Sequence, residues 1–399
     1  MSKIKVFNDP IYGLISFPFE LIYELIDHRF FQRLRRISQV GLSCLVYPGA
    51  VHTRFHHALG VAHLCSELIR NLRIKKVEIT DQEYEATCAA ALLHDIGHGP
   101  FSHALEKQIL PIHHEAITSF IMKYLNDELG GRLSLAIDIF ENKYHKIFLH
   151  EMLSSQLDVD RMDYLSRDSY YTGVAEGVIG YDRIVQMMTV HDDHLAIEAK
   201  GLHSVDKFFM SRYLMYRQVY LHKAAISAEV MLVGFFKEYK TAISKEHKGS
   251  NLISKLIRNG ETDMNTELIE DFTKLDDYDI VSLLKEHYDH NNFICRYFAQ
   301  GLLNRRLMRT VISNKELDSD FLNQMRHKAE LQLEIDTTTS SKLVISGKDI
   351  SKICDFKRPI RVISSNQEVN LYSELTQFDL FNRRQQYTYV TYPKEIDNL

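Results

Sequence analysis

The chain has 399 residues, 45% hydrophobic and 25% charged, and its 48 Lys and Arg against 53 Asp and Glu give a formal charge of −5. That length allows a sizeable core and two or three lobes, and the mild charge speaks against a protein built to coat nucleic acid, local basic patches aside. Five scattered cysteines (Cys44, Cys65, Cys88, Cys295 and Cys354) never form a CxxC pair, so neither a disulfide scaffold nor a cysteine-rich zinc site is expected and a reducing cytosol is the simplest location.

Residues 3–17, KIKVFNDPIYGLISF, predict two short strands about an Asp-Pro turn. From about Glu20 to Gly41 the pattern is helical and carries the basic cluster HRFFQRLRR; a loop with Pro48 and Gly49 follows. Residues 56–73 place Leu59, Ala62, Cys65 and Leu72 near one helical stripe, and 82–96 predict a further helix stopped by Gly97, Gly99 and Pro100. Helices are expected over 114–129, ended by the glycines at 130 and 131, over 133–172 in one or two pieces, and over 204–242 in one long run. EHKGSN reads as a linker, and 252–328 as mostly helical. In the last stretch KLVISG, IRVISS and YTYVTYP alternate like strands. The N-terminus has no apolar leader-like run, and no window approaches about 18 apolar residues, so neither export nor a membrane contact is expected. The expected fold is mainly α: a hairpin and basic helix over 1–45, a helical core over 46–243, a helical extension over 244–329, and a small mixed α/β lobe over 330–399.

The stretch ALLHDIGHGPFSH, residues 91–103, carries the chemistry. An apolar helix ends there in His94 and Asp95, and burying that pair is costly without a compensating partner. A divalent metal is one such partner, since imidazole and carboxylate suit Zn, Fe, Mn, Ni or Co. His57 opens an earlier helix and Asp160 a later one, so three helices could converge on one ion and leave positions open for water and substrate. Taken singly, each of these residues reads as an ordinary capped or solvated side chain. His98 and His103 follow on a Gly-Gly-Pro turn, where glycine lets the backbone approach a ligand closely. Glu106, His113, His114 and Glu115 come next, and a carboxylate paired to a histidine fixes its tautomer. Asp160, Tyr164 and Asp168 share one helix face flanked by Arg161 and Arg167, an arrangement that suits a phosphorylated substrate or, more blandly, a salt-bridged surface.

Five ordered segments, KVFNDPIYG, FFQRLRRISQVG, YPGAVHTRFHHALGV, LLHDIGHGPFSH and DVDRMDYLSRD, resemble the HD-domain metal-dependent phosphohydrolases. The likeness is to the deoxynucleoside triphosphate (dNTP) triphosphohydrolase branch, and runs from about Lys5 to Asp168, then more weakly to about Glu229. The resemblance implies an HD-domain helical core. It implies one divalent metal (Mn, Fe, Ni, Co, Zn or Mg) on His57, His94, Asp95 and Asp160, and catalytic roles for His98, His103 and His114, the last paired with Glu106. It further implies substrate contacts from Gln39, Val40, Arg54, Arg161, Tyr164, Asp168, Tyr220 and His222, less securely with Lys223. Positions that hold a regulatory guanine nucleotide between subunits in the animal branch match Lys5, Val6, Asp27, Gln32 and Arg35, which implies a homo-oligomer, dimer or tetramer. The additional histidines His56 and His113 leave a second metal open, and the GYP signature of cyclic-dinucleotide phosphodiesterases is absent. The expected activity is cleavage of a dNTP to deoxynucleoside and triphosphate, with Arg54, His98, His103, Arg161 and Asp168 bracketing the triphosphate. Two other readings stay open: a phosphodiesterase or nuclease acting on nucleic-acid ends, and a non-catalytic nucleotide sensor.

Overall fold

A computed structural model describes residues 5–102, 104–245, 251–259, 264–316, 318–351, 358–366, 368–376 and 385–398. His103, Cys354, the first residues of the expected N-terminal strand and all but the last residue of the EHKGSN linker lie outside them. Among the described residues the fold is mainly α with three small sheets. Phe7–Asp9 and Gly13–Ile15 form the expected antiparallel hairpin. Behind it the helices Arg54–Ile74 and Asp81–Leu93 pack side by side, each buried along most of its length. Asp81–Leu93 is started by a reciprocal cap: Thr80 Oγ1 accepts the Glu83 N–H at 3.2 Å, and Glu83 Oε2 accepts the Thr80 N–H at 2.7 Å. Helix Val159–Thr172 begins on Asp158, whose carboxylate accepts the Arg161 N–H at 2.8 Å, and ends at Gly173 with φ 74°.

A single hydrophobic cluster runs from Ile15 to Tyr372 and joins hairpin, helical core and helical extension. A smaller one, Met325, Ala329, Val344, Val390, Tyr392 and Ile396, lies under the C-terminal strands.

Two expectations change. The long helix over 204–242 is two helices, Leu202–Met215 and Lys223–Lys245, separated by a π-helical turn at Tyr216–Tyr220. No proline or glycine marks the break; a π-turn adds one residue per turn and turns side chains toward a site, which periodicity alone does not reveal. Second, strands beyond the N-terminal hairpin are not confined to the end of the chain. Met188–His191 and His194–Glu198 form a hairpin that continues, through a parallel pairing, onto Arg361–Ile363 and then Val369–Leu371. Arg309–Ser313 pairs with Gln385–Tyr392, which also pairs with Ile345–Ser351. The expected C-terminal lobe is thus built onto strands donated by the core and the extension. No single helix among the described residues is long and apolar enough to cross a membrane.

Candidate active site

Three helices present the clustered residues from their ends. His57 comes from the first turn of Arg54–Ile74, His94 and Asp95 follow the last turn of Asp81–Leu93, and Asp160 sits in the first turn of Val159–Thr172. Ligand atoms of His57, His94 and Asp160 lie within 4.8 Å of one another. Asp160 Oδ1 is 3.2 Å from His57 Nε2 and 3.7 Å from His94 Nε2. Asp95 closes the group, with Oδ1 3.4 Å from His94 Nε2 and Oδ2 3.6 Å from His57 Nε2.

The outer nitrogens decide which way the rings face. His94 Nδ1 lies 2.7 Å from the Ala91 carbonyl, which can only accept, so the proton is on Nδ1. His57 Nδ1 lies 2.8 Å from Asp163 Oδ2, and burial pushes that carboxyl up while Arg167 and His57 hold it down at about 2, so it too accepts. Both Nε2 atoms are then turned inward, buried and without a hydrogen-bond partner. Two orphaned imidazole nitrogens facing two carboxylates form a costly arrangement unless a cation joins them. The charges agree: burial pulls the His57 pKa down, but Asp160, Asp163 and Asp95 outweigh it and raise it to about 10. The cluster favours positive charge, and its two imidazoles and two carboxylates fit a divalent ion.

Asp163 was not singled out in the sequence, although it lies three residues beyond Asp160 on the same helix. Arg167 holds it through Nη2 at 2.9 Å and Nε at 3.0 Å, and donates from Nη1 to Asp9 in the hairpin at 2.8 Å. All three are buried, so Arg167 flanks no substrate as its spacing suggested; it braces the residue that orients His57. Gly60 allows this, because a Cβ there would stand 1.9 Å from Asp163 Oδ1. Gly97 plays a similar part in the HDIGHG turn, where a Cβ would be 2.4 Å from both the His114 carbonyl and the Thr118 nitrogen. The glycine serves helix packing rather than ligand approach.

A cavity of about 510 Å³ opens over the cluster. Of the expected residues it is lined by Gln39, Val40, Arg54, His57, Asp95, His98, His114, Asp160, Tyr164, Asp168 and Tyr220. Arg54 pairs with Asp95 and donates from Nε to Ser102 Oγ at 3.0 Å. His98 and His114 stack with centroids 4.0 Å apart. Glu106 lies behind His114, 2.6 Å from its Nδ1. Burial and the adjacent Arg54 hold the His98 pKa well below its usual value, so this imidazole is neutral. Glu106, His113 and His114 form a second histidine–carboxylate group.

Arg161 and His222 do not line the cavity. Arg161 turns back to Asp158 and to the Ser155 carbonyl at 2.6 Å, and His222 packs against Tyr47 and accepts the Ala224 N–H at 3.2 Å. Arg212 and Tyr216 line it instead, and neither stood out in the sequence. With Tyr220 they follow a four-residue spacing that the π-turn carries into the site. The five positions matched to a regulatory nucleotide lie apart from this cavity. Lys5 pairs with Asp27, Gln32 accepts from Arg35 Nε at 2.8 Å, Arg35 stacks over Phe55 at 3.5 Å, and Val6 is exposed.

A family model described as the HD domain matches residues 54–168, and one described as the HD associated region matches 179–379. The chain belongs to the HD-domain family. YwfO of Bacillus subtilis is 35% identical over 321 residues, 79% of this chain and 73% of that protein. The Dictyostelium discoideum homologue of deoxynucleoside triphosphate triphosphohydrolase SAMHD1 is 32% identical over 66% of this chain and 56% of that protein. SAMHD1 of Gallus gallus is 29% identical over 59% and 45%. This HD-domain chain therefore spans about half the length of those two relatives. Among solved structures, a phosphohydrolase from Bacteroides thetaiotaomicron VPI-5482 superposes with a TM-score of 0.93 at 39% identity, over 98% of this chain and all of that one. The family, the fold and the histidine–aspartate cluster together make this an HD-domain phosphohydrolase.

Proposed function

We propose that the protein is a dNTP triphosphohydrolase that releases a deoxynucleoside and inorganic triphosphate, with His57, His94, Asp95 and Asp160 as metal ligands. One observation carries the substrate reading: the cavity lining holds both hydrogen-bond donors and acceptors. Arg54, Arg212 and the histidines His98 and His114 are among its lining groups, and such donors suit phosphate oxygens. Asp168, Tyr220 and Gln39 also line it, and they form an acceptor set. Asp168 accepts from Tyr220 Oη at 2.5 Å and lies 2.8 Å from His52 Nε2. Burial and Asp168 hold the Tyr220 hydroxyl well above its usual pKa, so it stays protonated and keeps its bond to Asp168. The Gln39 side-chain oxygen is buried without a partner. Those acceptors suit sugar hydroxyls and disfavour phosphate, so Asp168 belongs to the sugar in this reading rather than bracketing the triphosphate.

A bound divalent ion supplies Lewis-acid chemistry at a phosphoryl oxygen. Arg54 and Arg212 bind the phosphate chain and offset its charge. His114, its Nδ1 tied to Glu106, presents Nε2 for proton transfer to the departing sugar oxygen. Neutral His98 stacks on it, fixing the ring plane and offering a hydrogen bond without a second charge. The SAMHD1 relatives, named for this reaction, support the reading. Homo-oligomerisation and a nucleotide effector at Lys5, Val6, Asp27, Gln32 and Arg35 remain part of the proposal.

The test is product identification. The protein is reconstituted with Mn, Fe, Co, Ni, Zn or Mg, given each dNTP singly and in mixtures, and the products are resolved by ion exchange. Deoxynucleoside with intact triphosphate is expected, and Asp95→Ala should retain no metal and no turnover. Release of pyrophosphate or of single phosphates, or cleavage only of nucleic-acid ends, would replace this reading.

A further inference from the structure

A second, larger cavity of about 760 Å³ lies between helix Lys223–Lys245 and the sheet of Arg309–Ser313, Gln385–Tyr392 and Ile345–Ser351. It shares two wall residues, Tyr220 and Glu229, with the cavity over the metal ligands. Its volume falls within the range of small-molecule sites, roughly 300–1,000 Å³. The charge of its lining is the reverse of its neighbour's. Four cations, Lys237, Arg326, Lys342 and Lys348, stand against two carboxylates, Glu229 and Glu238. Lys342 is neutralised by Glu238 at 2.7 Å, and Lys348 by Glu316 at 2.5 Å. No carboxylate is seen against Lys237 or Arg326 among the described residues. Among the described residues the buried Arg326 Nε has no hydrogen-bond partner, and the side chain makes one bond, from Nη1 to Asn323 at 3.3 Å. A guanidinium held in this way keeps its donors for an anion from outside the chain. On the sheet wall Gly347 lies opposite Tyr389, and a Cβ there would fall 2.3 Å from the Tyr389 hydroxyl, so the ring lies across the strand.

We propose that this cavity binds a polyphosphate chain without a metal, with Arg326 and Lys237 as the phosphate contacts. The neighbouring site needs an ion to hold an anion against its own carboxylates; this one does not. The inference stands apart from the dNTP reading, since it rests on a different cavity and different cations. Two sources share the chemistry, inorganic triphosphate and a nucleotide 5′-triphosphate.

The test is calorimetric titration of the full chain in excess EDTA with sodium tripolyphosphate and, separately, with a non-hydrolysable dNTP analogue. Saturable binding is expected for at least one. Equal affinities identify the phosphate chain as the whole determinant, and tighter binding of the analogue identifies a nucleotide; either supports the site. Arg326→Gln with Lys237→Gln should weaken binding at least tenfold, whereas His94→Ala should leave it unchanged. Lys237→Glu, at an exposed position that puts folding at no risk, should alone weaken it severalfold. Absence of saturable binding, or binding lost in His94→Ala and kept in the charge variants, overturns the proposal.

Discussion

The Nη2 of Arg33 donates to the His98 carbonyl at 2.7 Å. The same nitrogen reaches the Ile96 carbonyl at 2.9 Å, and Nη1 reaches those of Leu275 at 3.2 Å and Phe272 at 3.5 Å. The guanidinium is fully buried, and burial draws its pKa down to about 10, which still leaves it charged near neutral pH. A basic cluster that reads as a surface in the sequence thus contains one residue clamping the HDIGHG turn to the helical extension.

Arg33→Met is expected to destabilise the fold by about 3–5 kcal/mol, because it strands several buried carbonyls at once. Arg33→Lys keeps the charge but lacks the planar fork, and should restore part of the stability with kcat still reduced, as the backbone that carries His98 loosens. Chemical denaturation alongside steady-state kinetics checks both. A lysine variant with wild-type kcat would show that the clamp acts on folding alone.

Asp163→Asn should cost about 10–100-fold in metal affinity, since the residue facing His57 Nδ1 sets which ring nitrogen is free to ligate. The amide can present its NH2 group to Nδ1 and reverse the tautomer. Metal content after dialysis against graded chelator concentrations reads this directly. Full retention of metal would mean that the buried His57 ring is held by packing rather than by Asp163.

The histidine–aspartate cluster that could hold a metal was legible because its parts sit at helix ends within short ordered segments, HTRFHH, LLHDIGHG and DVDRMDY. The hairpin, the helical core and the strand character of the C-terminal segments were legible from periodicity. What escaped was whatever depends on partners far apart in the chain. Asp9, Asp163 and Arg167 form one buried network across a separation of more than 150 residues, which no local pattern encodes. Arg161 and Arg167 have the same spacing logic, yet one faces Asp158 and the other is sealed in the core. Arg212 and Tyr216 were hidden by the π-turn, and the strands at 188–198 by a run too short and too charged to alternate cleanly.

Gln39→Leu removes the orphaned acceptor that the proposed function assigns to the sugar. Turnover of a dNTP should fall about tenfold in kcat/KM, the scale of one buried hydrogen bond of about 1.4 kcal/mol. A dideoxy analogue, which has no ring hydroxyl to offer, should be almost unaffected. Equal losses for both substrates would place Gln39 away from the sugar.

Glu83 gives the clearest acid response. Burial pushes its carboxyl up, but Lys146, the Thr80 N–H and the Tyr144 hydroxyl outweigh this and bring it from 4.5 to about 2. Lys146 Nζ is 2.9 Å and Tyr144 Oη 2.8 Å away, and the side chain is almost completely enclosed. A depressed carboxyl contributes stability that is fully present above its unfolded pKa and is lost as pH falls toward the folded one. That contribution is worth about 3 kcal/mol near neutral pH. Glu83→Gln should therefore lower stability by about 2–3 kcal/mol near pH 7 and equally near pH 6. The gap between wild type and variant should shrink by about 1.4 kcal/mol at about pH 3.5 and continue to close below that. Urea denaturation of both proteins across this range measures the gap at each pH. A gap that stays constant down to about pH 3 would mean that Glu83 titrates at its unfolded value and that its ionisation contributes nothing net to stability.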